Sequence, residues 1–150
     1  MILYLDTSAL AKKYIQEQDS DSVQGWMDDA DLVGTALITR AEIASTLTRA
    51  IQSNRLPTLG ARQALKDFRA DWQDYQRILI NENLVARADA LACEHNLRGY
   101  DAVHLACALT WQDALQTPVT FATFDGQLRD AAKNSGLSVL PESVDHENHA

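Results

Sequence analysis

Ile2-Leu3-Tyr4-Leu5-Asp6-Thr7-Ser8-Ala9-Leu10 changes period within a few residues. Its first four residues are an unbroken apolar run, as in a parallel strand covered on both faces. An acid follows, then Thr7 and Ser8, either of which can cap a helix running over residues 9–16. Strand, acid and helix in that order mark a junction of an α/β sheet, and ligands bind along the carboxyl edge where such junctions lie.

The pattern recurs down the chain. An apolar stretch over 32–38 precedes Glu42 in Arg40-Ala41-Glu42-Ile43-Ala44. Asp101, in Arg98-Gly99-Tyr100-Asp101-Ala102, opens a markedly apolar helix over 102–115. A β-branched and aromatic strand over 119–124 leads to Asp125 in Thr123-Phe124-Asp125-Gly126. Carboxylates converging on one rim would make a hard-oxygen cage for Mg²⁺ or Mn²⁺, an arrangement used mostly on phosphate esters. Convergence has a cost. At about 6 Å and an effective dielectric of about 20, each like-charge pair costs roughly 3 kcal/mol. The pairs among four acids would together exceed about 10 kcal/mol, as much as a whole domain's stability. Such a cluster needs a divalent cation, a proton on one member, or basic partners.

The remaining pattern fits the same class. Helical periods cover 22–27, 43–51, 61–75, 82–95 and 126–134, and short strands are expected at 77–80 and 137–140. The alternation predicts one α/β domain over 1–140, with a mainly parallel sheet and helices on both faces, followed by a polar tail over 141–150. A chain of 150 residues with 46% hydrophobic content has enough material for a core. The net charge of −8 argues against a broad basic nucleic-acid surface, while leaving room for a nuclease whose acids are concentrated at metals. No apolar stretch approaches the roughly 20 residues of a membrane helix, and no secretory leader is expected. Cys93 and Cys107 fall inside helical patterns without CxxC spacing, so both read as buried thiols of a reducing cytoplasm rather than zinc ligands.

Each acid also has a plain structural reading. Thr39-Arg40-Ala41-Glu42 has the form of a capping box, in which Glu42 would bond the Thr39 N–H. Asp101 and Asp125 suit helix N-caps. Asp6 is harder to explain that way, because Thr7 and Ser8 already offer caps. His104 reads as a hydrogen-bonded core residue. The tryptophans read as packing, with Trp72 the one that could face a partner chain. Lys12, Arg40 and Arg98 lie close in sequence to three of the acids and are the basic residues expected to contact a substrate phosphate.

Together the motifs resemble the PIN-domain family, in particular the VapC-like toxins of bacterial toxin–antitoxin pairs. Residues 2–10 are similar to that family's first motif, and Glu42 stands where its second acid is expected. Tyr100-Asp101-Ala102-Val103-His104-Leu105-Ala106 resembles the third motif, and Thr123-Phe124-Asp125-Gly126-Gln127-Leu128 the closing one. The resemblance implies a PIN-like three-layer α/β/α sandwich and a metal-dependent endoribonuclease acting on RNA in the cytoplasm. It also implies a homodimer and a cognate antitoxin that blocks the acidic site. On this reading Asp6, Asp101 and Asp125 hold one or two Mg²⁺ or Mn²⁺ ions, Glu42 binds directly or through water, and Ser8 and Thr123 orient the carboxylates. Phosphoaspartate enzymes fit less well, because Asp6-Thr7-Ser8 lacks the second acid of an Asp-x-Asp pair and receiver domains need paired acids and a late Lys. The rival of another class is a non-catalytic PIN-like module that acts through a protein partner, its acids serving only as caps.

Overall fold

Ile2–Leu5 forms β1, the central strand of a five-stranded sheet in a computed structural model that describes residues 1–142. β2 (Leu32–Ala36) pairs with it on one side and β4 (Val119–Ala122) on the other. β3 (Gln76–Ile78) and β5 (Ser138–Leu140) form the edges, and every pairing is parallel. The expected mainly parallel sheet is thus wholly parallel among the described residues. The expected tail over 143–150 lies outside the described residues.

Strand alternation separates two cores. Leu3 and Leu5 point into one, beneath α1 (Thr7–Tyr14), α2 (Ser20–Asp29), α3 (Thr39–Gln52) and α4 (Thr58–Asp71). Tyr4 points into the other, beneath α5 (Glu82–His95), α6 (Gly99–Leu115) and α7 (Gly126–Asn134). This makes three layers, α/β/α. Tyr4 stacks on Phe121 of the adjacent strand at 5.3 Å between ring centres, and both rings are fully buried. α6 is apolar almost all round, which is why it lies within the core rather than on it.

Gly34 in β2 shows how tightly α6 is packed. A Cβ there would stand 2.7 Å from the Trp111 ring, closer than carbon atoms can approach. Gly34→Ala is therefore expected to destabilise the protein by about 1–3 kcal/mol, the usual range for overpacking, read as a lower urea midpoint. An unchanged midpoint would mean that Trp111 is free to move.

Several boundaries differ from the sequence reading, and caps explain most of them. α1 begins at Thr7 because Asp6, not Thr7 or Ser8, is its N-cap. α6 begins at Gly99 with Arg98 at the cap, so Asp101 lies inside the first turn rather than at the cap. α4 ends at Asp71 and a short 3₁₀ turn, Trp72–Asp74, follows. Trp72 is buried against Phe68, which removes it as a partner-facing residue. Cys107 is buried, and burial pushes its thiol up to about 12. Cys93 is exposed, contrary to expectation, because it stands on the outer side of α5. Among the described residues no helix is long and apolar enough to cross a membrane.

The sheet order β3-β2-β1-β4-β5 reverses direction between β1 and β4. At such a switch point the following connections leave to opposite sides and open a crevice above the strand ends. Asp6 follows β1 directly, and Thr123 follows β4.

Candidate active site

Asp6 is only 5% exposed, and both of its oxygens are engaged. Oδ1 accepts the Ala9 N–H at 2.8 Å, and Oδ2 accepts the Thr123 hydroxyl at 2.6 Å. Thr123 Oγ1 in turn accepts the Asp125 N–H at 3.1 Å. Asp125 caps α7 through Oδ1, which accepts the Leu128 N–H at 3.0 Å. Its Oδ2 faces Arg98 Nη2 at 3.2 Å, and the same guanidinium donates from Nε to Asp101 Oδ2, also at 3.2 Å. Three aspartates are thus joined through one threonine and one arginine.

Burial is the main cause that raises the Asp6 carboxyl above its ordinary value, and the charge of Asp101 adds to it. The charge of His104 and the bonds from Thr123 and Ala9 oppose the shift without cancelling it. A buried carboxyl at a switch point, held up in this way and bonded to neither lysine nor arginine among the described residues, is a strong attractor for a cation.

Glu42 approaches from α3. The capping box does not form: Ile38 occupies the N-cap position without a side-chain bond, and Glu42 turns inward. Glu42 Oε1 accepts the Thr7 hydroxyl at 2.9 Å and lies 3.1 Å from His104 Nε2. His104 Nδ1 lies 2.7 Å from the Tyr4 hydroxyl. Burial holds the Tyr4 phenol well above its usual range, so Tyr4 donates to Nδ1. A neutral imidazole that accepts at Nδ1 carries its proton on Nε2 and donates it toward Glu42. Burial alone would raise the Glu42 carboxyl, but the hydrogen bond and charge of His104, together with Thr7, bring it below its ordinary value.

The sequence-predicted residues divide accordingly. Asp6, Asp101, Asp125, Thr123 and Arg98 form one bonded group, and Glu42 joins its rim through Thr7 and His104. Ser8 is exposed and has no hydrogen bond among the described residues, so the orienting hydroxyl on that side is Thr7. Lys12 is occupied by Glu17 at 3.3 Å and the Gln18 carbonyl at 2.9 Å, and it covers the Phe124 ring. Arg40 faces a different hollow, beside Phe68 and Arg69. His104, which the sequence marks only as a core residue, is buried and hydrogen-bonded as expected, but its partner is one of the acids. Its spacing three residues after Asp101 is the signal that could have placed it there.

The donor set is hard carboxylate oxygen, which fits Mg²⁺ or Mn²⁺. Among the described residues, no three acid, histidine or cysteine side chains stand ready-grouped around one point. The Arg98 guanidinium holds the position between Asp101 and Asp125 that a metal cation would take. Arg98 is 80% exposed and so is free to swing out.

This fold and this rim of acids define a PIN domain, and the chain belongs to that family, whose domain matches residues 3–134. It is similar to Ribonuclease VapC35 of Mycobacterium tuberculosis, at 32% identity over 144 residues that cover 93% of this chain and 96% of that protein. The structure of FitAcB from Neisseria gonorrhoeae superposes with a TM-score of 0.64 at 17% identity, covering 92% of this chain and 96% of that one. A toxin–antitoxin complex from Klebsiella pneumoniae superposes at 0.53 and 18% identity, over 80% of this chain and 84% of that one.

Proposed function

We propose that this chain is an endoribonuclease that hydrolyses RNA phosphodiester bonds with one or two Mg²⁺ or Mn²⁺ ions, as the toxin of a type II toxin–antitoxin pair. The observation that carries this reading is Asp6. It is a buried carboxyl at the switch point, linked through Thr123 and Arg98 to Asp125 and Asp101. The relative named Ribonuclease VapC35 and the similarity to a toxin–antitoxin complex support the substrate class and an antitoxin partner. A homodimer acting in the cytoplasm completes the reading.

Asp6, Asp101 and Asp125 would hold the metal, with Glu42 joining directly or through water. A bound divalent ion would neutralise phosphate charge and acidify the attacking water. Glu42 is held by Thr7 and His104 with Oε1 committed, which leaves Oε2 to orient that water. Thr123 fixes the Asp6 carboxylate plane. Water adds to phosphorus as the ester oxygen departs with a proton.

The test is cleavage of structured and single-stranded RNAs by protein freed of any partner, in Mg²⁺, Mn²⁺ or EDTA. Cleavage that EDTA abolishes is expected, and metal-independent cleavage would overturn the metal assignment. Asp6 and Asp125 do cap helices, and this favours a second reading, the non-catalytic module. A melting temperature that rises with Mn²⁺ rejects a cap-only protein, and a flat response together with no cleavage favours it.

A further inference from the structure

A groove of about 870 Å³ opens beside the acids, between α1 and α3. Thr7 and Glu42 stand at one end, and Arg49 and Arg55 line it further along. Glu42 and Arg49 are seven residues apart on one face of α3, so about 10 Å separates them along the helix axis. Arg49 therefore reaches past the scissile position to a neighbouring phosphate.

The two arginines are unlike most cations near the site. Lys12, Lys13, Arg87, Arg98 and Arg129 each face a carboxylate. Among the described residues neither Arg49 nor Arg55 does. Arg55 donates only Nε, to Ser53 Oγ, which leaves its terminal nitrogens free. In a chain of net charge −8, two unpaired guanidiniums in a concavity beside an acid cluster are placed for an anionic chain.

Tyr100 also lines the groove. It is 70% exposed, in the first turn of α6 next to Asp101. A ring left so largely in water contributes little to packing and presents a face at the lip of the acidic site. Phe124 lines the same groove, but Lys12 and Trp26 cover its faces.

We infer that this groove binds a single-stranded stretch of RNA beside the cut, with backbone phosphates on Arg49 and Arg55 and an unpaired base stacked on Tyr100. The inference rests on the ribonuclease reading and narrows its substrate to RNA that is unpaired at the site. A paired base has no face to offer Tyr100, whereas a splayed base stacks on an aromatic ring whatever its identity.

The test is fluorescence anisotropy with a labelled random-sequence single-stranded RNA pool in Ca²⁺, alongside cleavage of the same pool in Mn²⁺. Arg49→Gln with Arg55→Gln is expected to weaken binding about tenfold or more and to reduce the salt slope by about 0.7 for each phosphate no longer neutralised. Tyr100→Ala is expected to weaken binding about tenfold, with Tyr100→Phe restoring it. Arg62→Gln, on the exposed side of α4 and outside the groove, is expected to change nothing. Thermal melts identify any variant that fails to fold, and the conservative Tyr100→Phe then decides the stacking claim. If wild type cleaves while folded groove variants keep its affinity and salt slope, the inference is overturned and the nuclease stands. Wild type that neither binds nor cleaves overturns both. Variants that lose a protein partner but keep RNA binding assign the groove to a peptide and overturn the inference.

Discussion

Asp6→Asn is expected to cut RNA cleavage by roughly a thousandfold, the several kcal/mol a bound metal contributes to the transition state, while leaving the fold intact. The amide keeps the shape of the carboxylate. Its oxygen still accepts the Ala9 N–H, and Asn is as good an N-cap as Asp. Its NH₂ replaces Oδ2, so the Thr123 hydroxyl must turn to accept rather than donate. That oxygen already accepts the Asp125 N–H and has a second lone pair for the purpose. The variant also removes a charge that burial disfavours, so without metal it should melt at or above the wild-type temperature. The pH dependence has a definite sign. A carboxyl raised in the folded state contributes stability that is fully present below its unfolded value and is lost as pH rises through its folded value. Metal-free wild type should therefore gain stability relative to Asp6→Asn as pH falls from neutrality towards the ordinary carboxyl value of 3.8. Metal binding runs the other way, because the proton competes for the same oxygens, so Mn²⁺ stabilisation should fade over that window. A folded Asp6→Asn protein that cleaves RNA at the wild-type rate would remove Asp6 from the chemistry.

What the sequence makes legible is local. β1 and Asp6 can be read because the period changes within a few residues, and the later strand–helix alternations carry the same signal. The acids of the site are visible for that reason. Their partners are not, because every decisive interaction is long-range: Glu42 to Thr7, Glu42 to His104, Asp125 to Arg98. The Thr39-x-x-Glu42 pattern offers a local bond, and the tertiary one replaces it because His104 and Thr7 give the carboxylate better partners than a single N–H. Arg40 shows the converse error. It is two residues from Glu42, but two residues turn a helix by about 200°, so nearness in sequence puts it on the opposite side. Arg49 is further away in sequence and shares the Glu42 face. Lys12 lines the groove as expected, yet a local acid, Glu17, already holds it. Helix starts are displaced by a few residues wherever the cap differs from the expected one, as at Asp6 and Arg98.

His104→Ala is expected to cost about 3 kcal/mol or more of stability and to impair cleavage as well, because one side chain serves both the core and the site. The imidazole is 3% exposed, and its removal leaves a cavity beneath α6. The Tyr4 hydroxyl, fully buried, loses its acceptor and is left unsatisfied, a further penalty of about 1–3 kcal/mol. Tyr4→Phe, which keeps the ring stacked on Phe121 and removes only the hydroxyl, should cost much less, and the difference measures what His104 does beyond that bond. Glu42 supplies the functional half. Without His104 its carboxylate keeps only Thr7, so its orientation loosens and its acidity falls back toward the ordinary value of 4.5. A carboxyl lowered in the folded state contributes stability that is present above its unfolded value and lost as pH falls through its folded one. Wild type therefore carries a stabilising contribution at neutral pH that the variant lacks, and part of the gap between them should close as pH drops below 4.5. Urea titrations at neutral and acidic pH read both effects. A gap that stays constant with pH would mean that His104 supports the core alone and leaves Glu42 to Thr7.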